Sequence, residues 1–255
     1  MIVEGFLLLY KDFIWMAKGI EHPEGYAVAF PRYHGGKKVS LFPTQFLSLV
    51  KTCDCSPSPV PLVPLERAIV YDPRDLIERD TLARDFASVL AKGAGLTGSR
   101  VIGVEGDIDL VFYDSYEEVL KALKDLRDDG EIEPEIGKWK SLGEGAIKCK
   151  LKHTLLEGKW RGVHYSIRLV SAPRAPSRPV SLGLKAVKGR IIEANNTVMP
   201  YEYVLENGVI IESLRMQHSE IPVGAIIEVK GSWEMSSRGE RLHLGLNSFM
   251  DVISC

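Results

Sequence analysis

Short apolar segments separated by turn residues occupy the first part of the chain. The segments are 6–10, 13–17, 26–33 and 39–42, and a His-Gly-Gly-Lys turn precedes the last of them. This spacing is typical of short antiparallel strands and predicts a small amino-terminal β unit over 1–65. The stretch 53–64 contains four prolines. Because proline cannot donate to a strand ladder, we interpret this stretch as a linker.

Two helices are predicted in the middle of the chain. Asp72 and Pro73 provide an N-cap and a first-turn proline, and apolar residues then recur on one helical face up to Gly93. Ser115 and Glu118 have the spacing of a capping box, and a second apolar stripe follows them. Both segments therefore have a defined start and a face to bury.

Strand patterns alternate with these helices. Residues 107–113 place apolar side chains on one parity and aspartates on the other, and 162–170 alternates in the same way. Such alternation is the pattern of half-buried strands. Together with the helices it predicts an α/β or α+β domain over 66–175, in which helices pack on a sheet.

Five short strand patterns follow a second proline-rich stretch and are separated by turn residues. They cover 184–193, 202–205, 209–212, 225–233 and 242–246. This density of short strands without a strong helix favours a small closed barrel of the oligonucleotide/oligosaccharide-binding (OB) type over 180–255. An SH3-like barrel and a small sandwich are the alternatives.

Composition and charge exclude several classes of protein. The chain has 32 Lys and Arg against 34 Asp and Glu, so it is not a strongly basic nucleic-acid wrapper. No apolar run near the start approaches the roughly 20 residues of a membrane span, and no signal-peptide pattern is present. Four scattered cysteines are too few for a disulfide scaffold and indicate a reducing cytoplasm. The single residue between Cys53 and Cys55 is not the spacing of a zinc knuckle.

The candidate chemistry lies between residues 97 and 111. Asp107 and Asp109 stand two apart on the predicted strand, so both carboxylates project from one face and can share a divalent cation. Gly98 and Ser99 lie upstream, where a small turn can offer a backbone N–H and a hydroxyl to phosphate. Arg100 adds a positive charge beside them. The arrangement predicts a site for Mg²⁺ or Mn²⁺ and a nucleoside triphosphate.

This signature resembles that of the DNA polymerase beta-like nucleotidyltransferase superfamily, and the whole chain is similar to a group of archaeal predicted nucleotidyltransferases. The segments 11–14 and 22–26 fit the amino-terminal part of that group, and 98–99 with 106–110 fit its catalytic signature. The resemblance implies that Asp107 and Asp109 are catalytic metal ligands and that Gly98 and Ser99 contact the triphosphate. It implies an α+β fold, with a central nucleotidyltransferase-like mixed sheet flanked by the amino-terminal β unit and a carboxy-terminal five-stranded, OB-like β-barrel.

The chain departs from the family pattern in two places. The spacer of seven residues between Ser99 and Asp107 is short. Members of the superfamily also place a third carboxylate on a later strand, and the polar face of 162–170 offers His164, Ser166 and Arg168 instead. His164 or Ser166 is then the candidate base, and Arg168 the candidate phosphate contact. Two acids outside this strand, Glu144 and Glu157, are open alternatives for the third carboxylate.

Two functions from different classes follow from these residues. In the first, the protein transfers a nucleoside monophosphate from a triphosphate to an unknown acceptor, using Mg²⁺ held by the two aspartates. In the second, a catalytically degenerate version of the fold binds a nucleotide or RNA. Basic and aromatic residues of the last region, among them Tyr201, Tyr203, Trp233 and Arg241, suggest single-stranded RNA as a further partner. Oligomerisation through strand edges is also possible, and no membrane partner is expected.

Overall fold

The computed structural model describes residues 2–136, 142–245 and 248–255 of the 255-residue chain. It is a mixed α+β structure whose strands form three sheets. An amino-terminal sheet, a central sheet and a carboxy-terminal barrel follow one another along the chain.

The amino-terminal sheet is antiparallel and has the strand order β5-β6-β3-β2-β1-β7, with β4 beside β3. Its strands are β1 (Leu7–Tyr10), β2 (Phe13–Ala17), β3 (Tyr26–His34), β4 (Lys37–Lys38), β5 (Val50–Cys53), β6 (Ser56–Pro64) and β7 (Ile69–Tyr71). A 3₁₀ helix, Thr44–Leu49, connects β4 to β5. The strand predicted over 39–42 is absent, and the two-residue β4 lies just before it.

The proline-rich stretch is a strand and not a linker. β6 pairs with β5 over most of its length and with β3 at its end. Pro57, Pro59 and Pro61 share one parity, so their missing N–H groups lie on one side of the strand. The residues between them can still donate to β5. The sequence interpretation was wrong here because it counted prolines without considering their parity.

The central sheet has the strand order β10-β11-β12-β9-β8, with β14 beside β12. Its strands are β8 (Gly95–Thr97), β9 (Ile108–Phe112), β10 (Ile132–Pro134), β11 (Glu157–Trp160), β12 (Val163–Val170) and β14 (Val198–Met199). β9 and β12 are the two strands predicted from alternation, and they pair in parallel. The apolar side chains on one face of these strands pack against helices. Val111 and Val170 lie on the other face and join the core of the amino-terminal unit.

Three α-helices accompany this sheet: α1 (Thr81–Ser88), α2 (Tyr116–Asp128) and α3 (Glu144–His153). The first predicted helix is divided. Asp72 caps a 3₁₀ helix, Pro73–Arg79, and Asp80 then caps α1 through the N–H of Ala83. α2 begins where predicted, but the Ser115 side chain makes no capping bond because its backbone is left-handed, with φ of 56°. The sequence did not predict α3.

The carboxy-terminal region is a closed five-stranded barrel. Its strands are β13 (Val180–Asn195), β15 (Tyr201–Leu205), β16 (Ile210–Ser213), β17 (Ile226–Ser236) and β18 (Gly239–His243), and β19 (Phe249–Ser254) lies beside β17. The order β13-β15-β16-β18-β17 closes because β13 pairs with both β15 and β17. β16 and β18 are parallel. Closure excludes an open sandwich, and Leu246, at the end of the fifth predicted strand, lies outside the described residues.

The three units pack against one another. Central sheet and barrel share one continuous apolar core, and the amino-terminal sheet has its own core, which extends to the other face of the central sheet. Among the described residues, no helix is long and apolar enough to cross a membrane. Polar residues on the β9 and β12 face that meets the amino-terminal unit are therefore directed toward the place where the three units join.

Candidate functional site

Asp109 lies at the centre of this junction. It precedes Val111 by two positions on β9, so its side chain points toward the amino-terminal unit, away from the helices. Its Oδ1 atom accepts a hydrogen bond of 2.6 Å from the hydroxyl of Ser166. The two residues are direct neighbours in the parallel register of β9 and β12.

Gly98 lies against the Asp109 carboxylate. Its backbone has φ of 74° and ψ of −157°, a conformation that residues other than glycine rarely adopt. A Cβ atom at this position would lie 2.0 Å from Asp109 Oδ2. Ser99 begins the 3₁₀ turn that follows, and its hydroxyl packs against Gly106. The structure therefore brings the predicted phosphate turn and one predicted aspartate together.

Asp107 is placed differently from Asp109. It precedes β9, its side chain is 64% exposed, and its Oδ2 atom lies 3.7 Å from His164 Nδ1. Of the two aspartates, Asp109 lines the central cleft described below and Asp107 does not. Asp107 precedes the first residue of β9, and its contact His164 lies on the same face of β12 as Ser166, so the shared direction that the i, i+2 spacing predicts stays a prediction.

Asp107 and Asp109 belong to no group of three or more possible metal ligands among the residues that the structure describes. The neighbouring position on β12 is Ser166, and Glu157 on β11 lies one strand further, roughly 10 Å away at ordinary strand spacing. Glu157 is buried and binds the Lys150 ammonium at 2.5 Å. Glu144 begins α3 and is exposed, away from the cleft. Neither acid completes a cage with the two aspartates.

Arg168 provides a positive charge close to the Asp109 carboxylate. It lies two residues after Ser166 on the same face of β12, and its Nε is 3.9 Å from Glu4 Oε1. Burial lowers the pKa of Arg168, but the nearby carboxylates of Asp109 and Glu4 outweigh burial and raise it. The guanidinium is therefore the counter-charge of Asp109. The donor set fits one Mg²⁺ at most, completed by phosphate oxygens and water.

Arg100 supports the phosphate turn from outside the cleft. Its Nε donates to the Gly106 carbonyl at 2.9 Å, and its Nη1 binds Asp80 Oδ2 at 2.9 Å. The side chain is 10% exposed. Because both ends of the guanidinium already have partners, Arg100 holds the turn against the start of α1 and does not reach the cleft. Arg100 does not line the cleft, and the nucleotide contact predicted for it stays a prediction.

A cleft of about 660 Å³ lies where the three units meet. Asp109, Gly98 and Arg168 from the central unit line one side of it. The cations that line it are Lys18, Arg32, Arg168, Arg215, Arg238 and Arg241, and its acids are Glu4, Glu21, Asp109, Glu212 and Glu234. Sequence reasoning missed most of these residues because they belong to three distant segments and share no motif.

The amino-terminal side of the cleft contains a buried ion pair. Glu4 is almost fully buried and accepts hydrogen bonds from the Lys18 ammonium at 2.7 Å and from the Gly19 N–H at 2.8 Å. Burial lowers the pKa of Lys18, and the Glu4 carboxylate opposes this effect. Arg32 lies beside Lys18 and, with Arg168, adds positive charge to the pair.

The barrel side of the cleft is an ionic network centred on Glu212. Its carboxylate binds Arg241 at 2.7 Å and Arg238 at 3.2 Å, and His243 Nδ1 lies 3.9 Å away. Burial raises the pKa of Glu212, but His243 and the two arginines outweigh burial and lower it to about 2. Arg238 also binds Glu21 at 2.5 Å, which joins the barrel to the amino-terminal unit.

Two barrel tyrosines proposed as stacking partners for RNA are in the core. Tyr201 and Tyr203 are fully buried, and their hydroxyls bond to Met216 and to the His218 carbonyl. They cannot stack on bases. Trp233 is partly exposed, and the Lys185 ammonium lies 3.6 Å from its ring centroid. Of the three aromatic residues, Trp233 therefore remains accessible for stacking on a base.

All four cysteines form disulfides, Cys53–Cys55 and Cys149–Cys255. The sequence interpretation left them unpaired because they are few and scattered. The second pair joins residues 106 apart, which only the packing of α3 on β19 brings together. Cys55 lines the central cleft, whereas Cys149 and Cys255 do not.

The site thus combines parts that the sequence predicted with parts that it did not. Gly98, Asp109 and Arg168 line one cleft, the Ser166 hydroxyl bonds to Asp109 behind it, and Asp107 and Arg100 do not line it. The resemblance to nucleotidyltransferases therefore rests on the motif residues themselves. No protein-family model matches the chain, and no curated protein matches it.

Proposed function

We propose that the protein binds the phosphate groups of a nucleotide in the central cleft and does not carry out two-metal nucleotidyl transfer. One observation carries this proposal: Ser166 and Arg168 occupy the face of β12 beside Asp109, where transfer chemistry needs a carboxylate. A two-metal mechanism clamps both the attacking and the leaving oxygen. Two aspartates, of which Asp109 lines the cleft and Asp107 does not, provide too few ligands for that clamp.

The size and charge of the cleft support a nucleotide as ligand. About 660 Å³ lies within the range of pockets that hold small molecules. On the side of Arg168, the Nε–H group of Arg32 is buried at its wall without a hydrogen-bond partner among the described residues. Buried donors of this kind cost free energy unless they are satisfied, and phosphate oxygens are strong acceptors for guanidinium groups.

Each part of the site has a role in this proposal. The Arg168 guanidinium binds phosphate oxygens, and the open backbone at Gly98 lets a phosphate approach the Ser99 turn closely. Asp109 is held by Ser166 and, if Mg²⁺ accompanies the nucleotide, contributes one ligand to it. The bound ion would supply charge neutralisation between phosphate groups.

The finer assignment of the barrel also belongs to this proposal. Its closed order, with the third and fifth strands parallel, is that of OB-type barrels. In such barrels the face of the second and third strands binds ligands. Here that face carries Glu202 and Glu212, which are neutralised by Arg241. Because these carboxylates already occupy the Arg241 guanidinium, we place the nucleotide beside Arg168 and treat RNA as a separate outcome of the test.

Calorimetric titration with each of the four ribonucleoside triphosphates, with and without Mg²⁺, tests the proposal. Arg168→Met should raise the Kd about ten- to hundredfold, because it removes one or two charge-assisted hydrogen bonds to phosphate. Arg161→Met is the matched control, because Arg161 is exposed and lies over the Trp160 ring outside the cleft. Absence of heat with all four nucleotides, or equal affinity in wild type and Arg168→Met, contradicts the proposal. If single-stranded RNA gives heat and none of the nucleotides does, the ligand of the cleft is RNA and not a nucleotide.

A second candidate is the transfer reaction, and the closeness of Gly98 to the Asp109 carboxylate favours it. Mg²⁺ on Asp107 and Asp109 would bridge the phosphates of a triphosphate that is held by Gly98 and Ser99. An acceptor hydroxyl would attack the α-phosphorus, and pyrophosphate would leave. Release of pyrophosphate that depends on Asp107 and Asp109 would establish this candidate in place of the first.

A further inference from the structure

A cluster of two cysteines and a histidine lies outside the nucleotide site. It consists of Cys149 and His153 on α3 and Cys255 after β19, and their sulfur and imidazole atoms all lie within 4.8 Å of one another. In the described part of the chain, this is the one group of three or more possible metal ligands of the types His, Cys, Asp and Glu. In the present state the two sulfurs are joined as a disulfide.

The helix presents two of these residues in one direction. Cys149 and His153 are four residues apart on α3, so their side chains lie one above the other on the same face. Both are near the carboxyl end of the helix, whose dipole favours a cation. Cys149 is buried, whereas His153 and Cys255 are exposed to solvent.

Contacts that do not involve sulfur bring Cys255 to this face. Asp251 Oδ1 accepts a hydrogen bond of 2.9 Å from the Ala146 N–H at the start of α3. Gly145 packs so closely on β19 that a Cβ there would lie 1.8 Å from the Val252 carbonyl oxygen. The strand is thus held along the helix at its beginning, and Cys255 arrives at the last turn. This placement persists when the sulfur–sulfur bond is broken.

Two thiolates and an imidazole are ligands that Zn²⁺ prefers. Zn²⁺ takes four ligands in a tetrahedron, at about 2.3 Å from sulfur and about 2.0–2.1 Å from nitrogen. Three protein ligands leave one position for water, which the exposed side of the cluster can supply. Once reduced, the two sulfurs separate and can both reach one ion.

We propose that Cys149, His153 and Cys255 form a redox-gated site for Zn²⁺ or a similar soft divalent cation. Reduction of the disulfide by a two-electron reductant adds two electrons and two protons and yields two thiols. Zn²⁺ then displaces the two thiol protons and binds both thiolates and the neutral imidazole. A two-electron oxidant such as a small-molecule disulfide takes the electrons back, restores the sulfur–sulfur bond and releases the ion.

The site would keep α3 joined to β19 in both redox states. The disulfide makes this link in the oxidised protein, and the ion makes it in the reduced protein. α3 lies between β10 and β11 of the central sheet in the chain and packs on β19, which pairs with β17 of the barrel. The metal therefore replaces the covalent link between the two units when the thiols are reduced.

Co²⁺ absorption tests the proposal because tetrahedral cobalt bound to thiolate has intense visible and near-ultraviolet bands. The full chain is reduced with a water-soluble phosphine, which becomes its oxide with oxygen from water, and is titrated with Co²⁺ and then Zn²⁺. We expect one Co²⁺ per chain, displaced by Zn²⁺, and no binding before reduction. Cys255→Ser should abolish the bands, and since Cys255 is exposed this variant keeps the core intact. His153→Ala should weaken binding at least about tenfold.

The other cysteine pair provides the matched control. A variant with Cys53→Ser and Cys55→Ser retains the proposed site and should bind Co²⁺ like the wild type. The proposal is overturned if the reduced protein shows no thiolate–cobalt bands. It is equally overturned if the bands survive Cys255→Ser, or if they disappear in the Cys53 and Cys55 variant.

Discussion

The hydroxyl of Ser166 donates a 2.6 Å hydrogen bond to Asp109 Oδ1 across the parallel pair β9 and β12. A neutral donor therefore stands where a metal-binding carboxylate would complete a cage. With Arg168 on the same face, the carboxylate of Asp109 is satisfied by protein groups. This relationship is the physical basis for proposing phosphate binding over two-metal catalysis.

Ser166→Asp should create a metal site at this position. Without metal, two adjacent carboxylates repel, so we expect a lower melting temperature in EDTA. Mn²⁺ should restore it by binding only the folded state. Thermal unfolding with and without Mn²⁺ measures both effects. Ser166→Asn, with similar shape and no charge, should show no Mn²⁺ response, and an equally large response in the wild type would mean that its cage is already complete.

Gly98→Ala should destabilise the protein by at least about 3 kcal/mol, because it combines a glycine-only backbone with a steric clash on Asp109. Gly103→Ala is the matched control. Gly103 has nearly the same φ, 73°, but a Cβ there would have no described atom within 4 Å, so strain alone should cost about 1–2 kcal/mol. Urea unfolding compares the two free energies. Equal losses would show that the approach of Asp109 to Gly98 does not contribute.

Arg100→Met should lower stability and leave nucleotide affinity near that of the wild type. The guanidinium holds Asp80 and the Gly106 carbonyl, and losing such charged hydrogen bonds costs about 1.5–3 kcal/mol. Chemical unfolding and calorimetric titration measure the two quantities on the same sample. Arg84→Met, whose pair with Glu78 is exposed, should change neither. A large rise in Kd for Arg100→Met would place Arg100 in the binding site after all.

Acid should destabilise the barrel through His218. Burial lowers the pKa of this fully buried histidine to about 3, against 6.5 for an exposed one. Below pH 6.5 the unfolded chain therefore binds a proton at His218 that the folded barrel does not bind, and the free energy of unfolding falls as pH decreases. At about pH 4.5 the loss from this residue reaches about 2–3 kcal/mol.

Unfolding free energies between about pH 7 and pH 4.5 measure this effect. His218→Gln should flatten the slope, because glutamine does not titrate. The exposed His34 provides the comparison, and His34→Gln should keep the slope of the wild type. An unchanged slope in His218→Gln would assign the acid sensitivity to other groups.

Local patterns predicted the elements that carry the site. Alternation predicted β9 and β12, and the turn at Gly98 followed from its glycine. The local patterns did not predict α3 or β19, whose positions depend on tertiary packing. β19 and α3 stabilise each other through Asp251, a contact between distant segments that no local window contains.

The sequence alone determined that three regions follow one another, that the middle one alternates strands with helices, and that the last is rich in short strands. These features depend on neighbouring residues through hydrophobic periodicity and turn chemistry, and both are local. Only the tertiary structure decided that Ser166 and Arg168 lie beside Asp109, that Asp107 does not line the cleft, and that Cys149 meets Cys255. Those relationships depend on strand register and on packing between units, which bring together residues far apart in the chain.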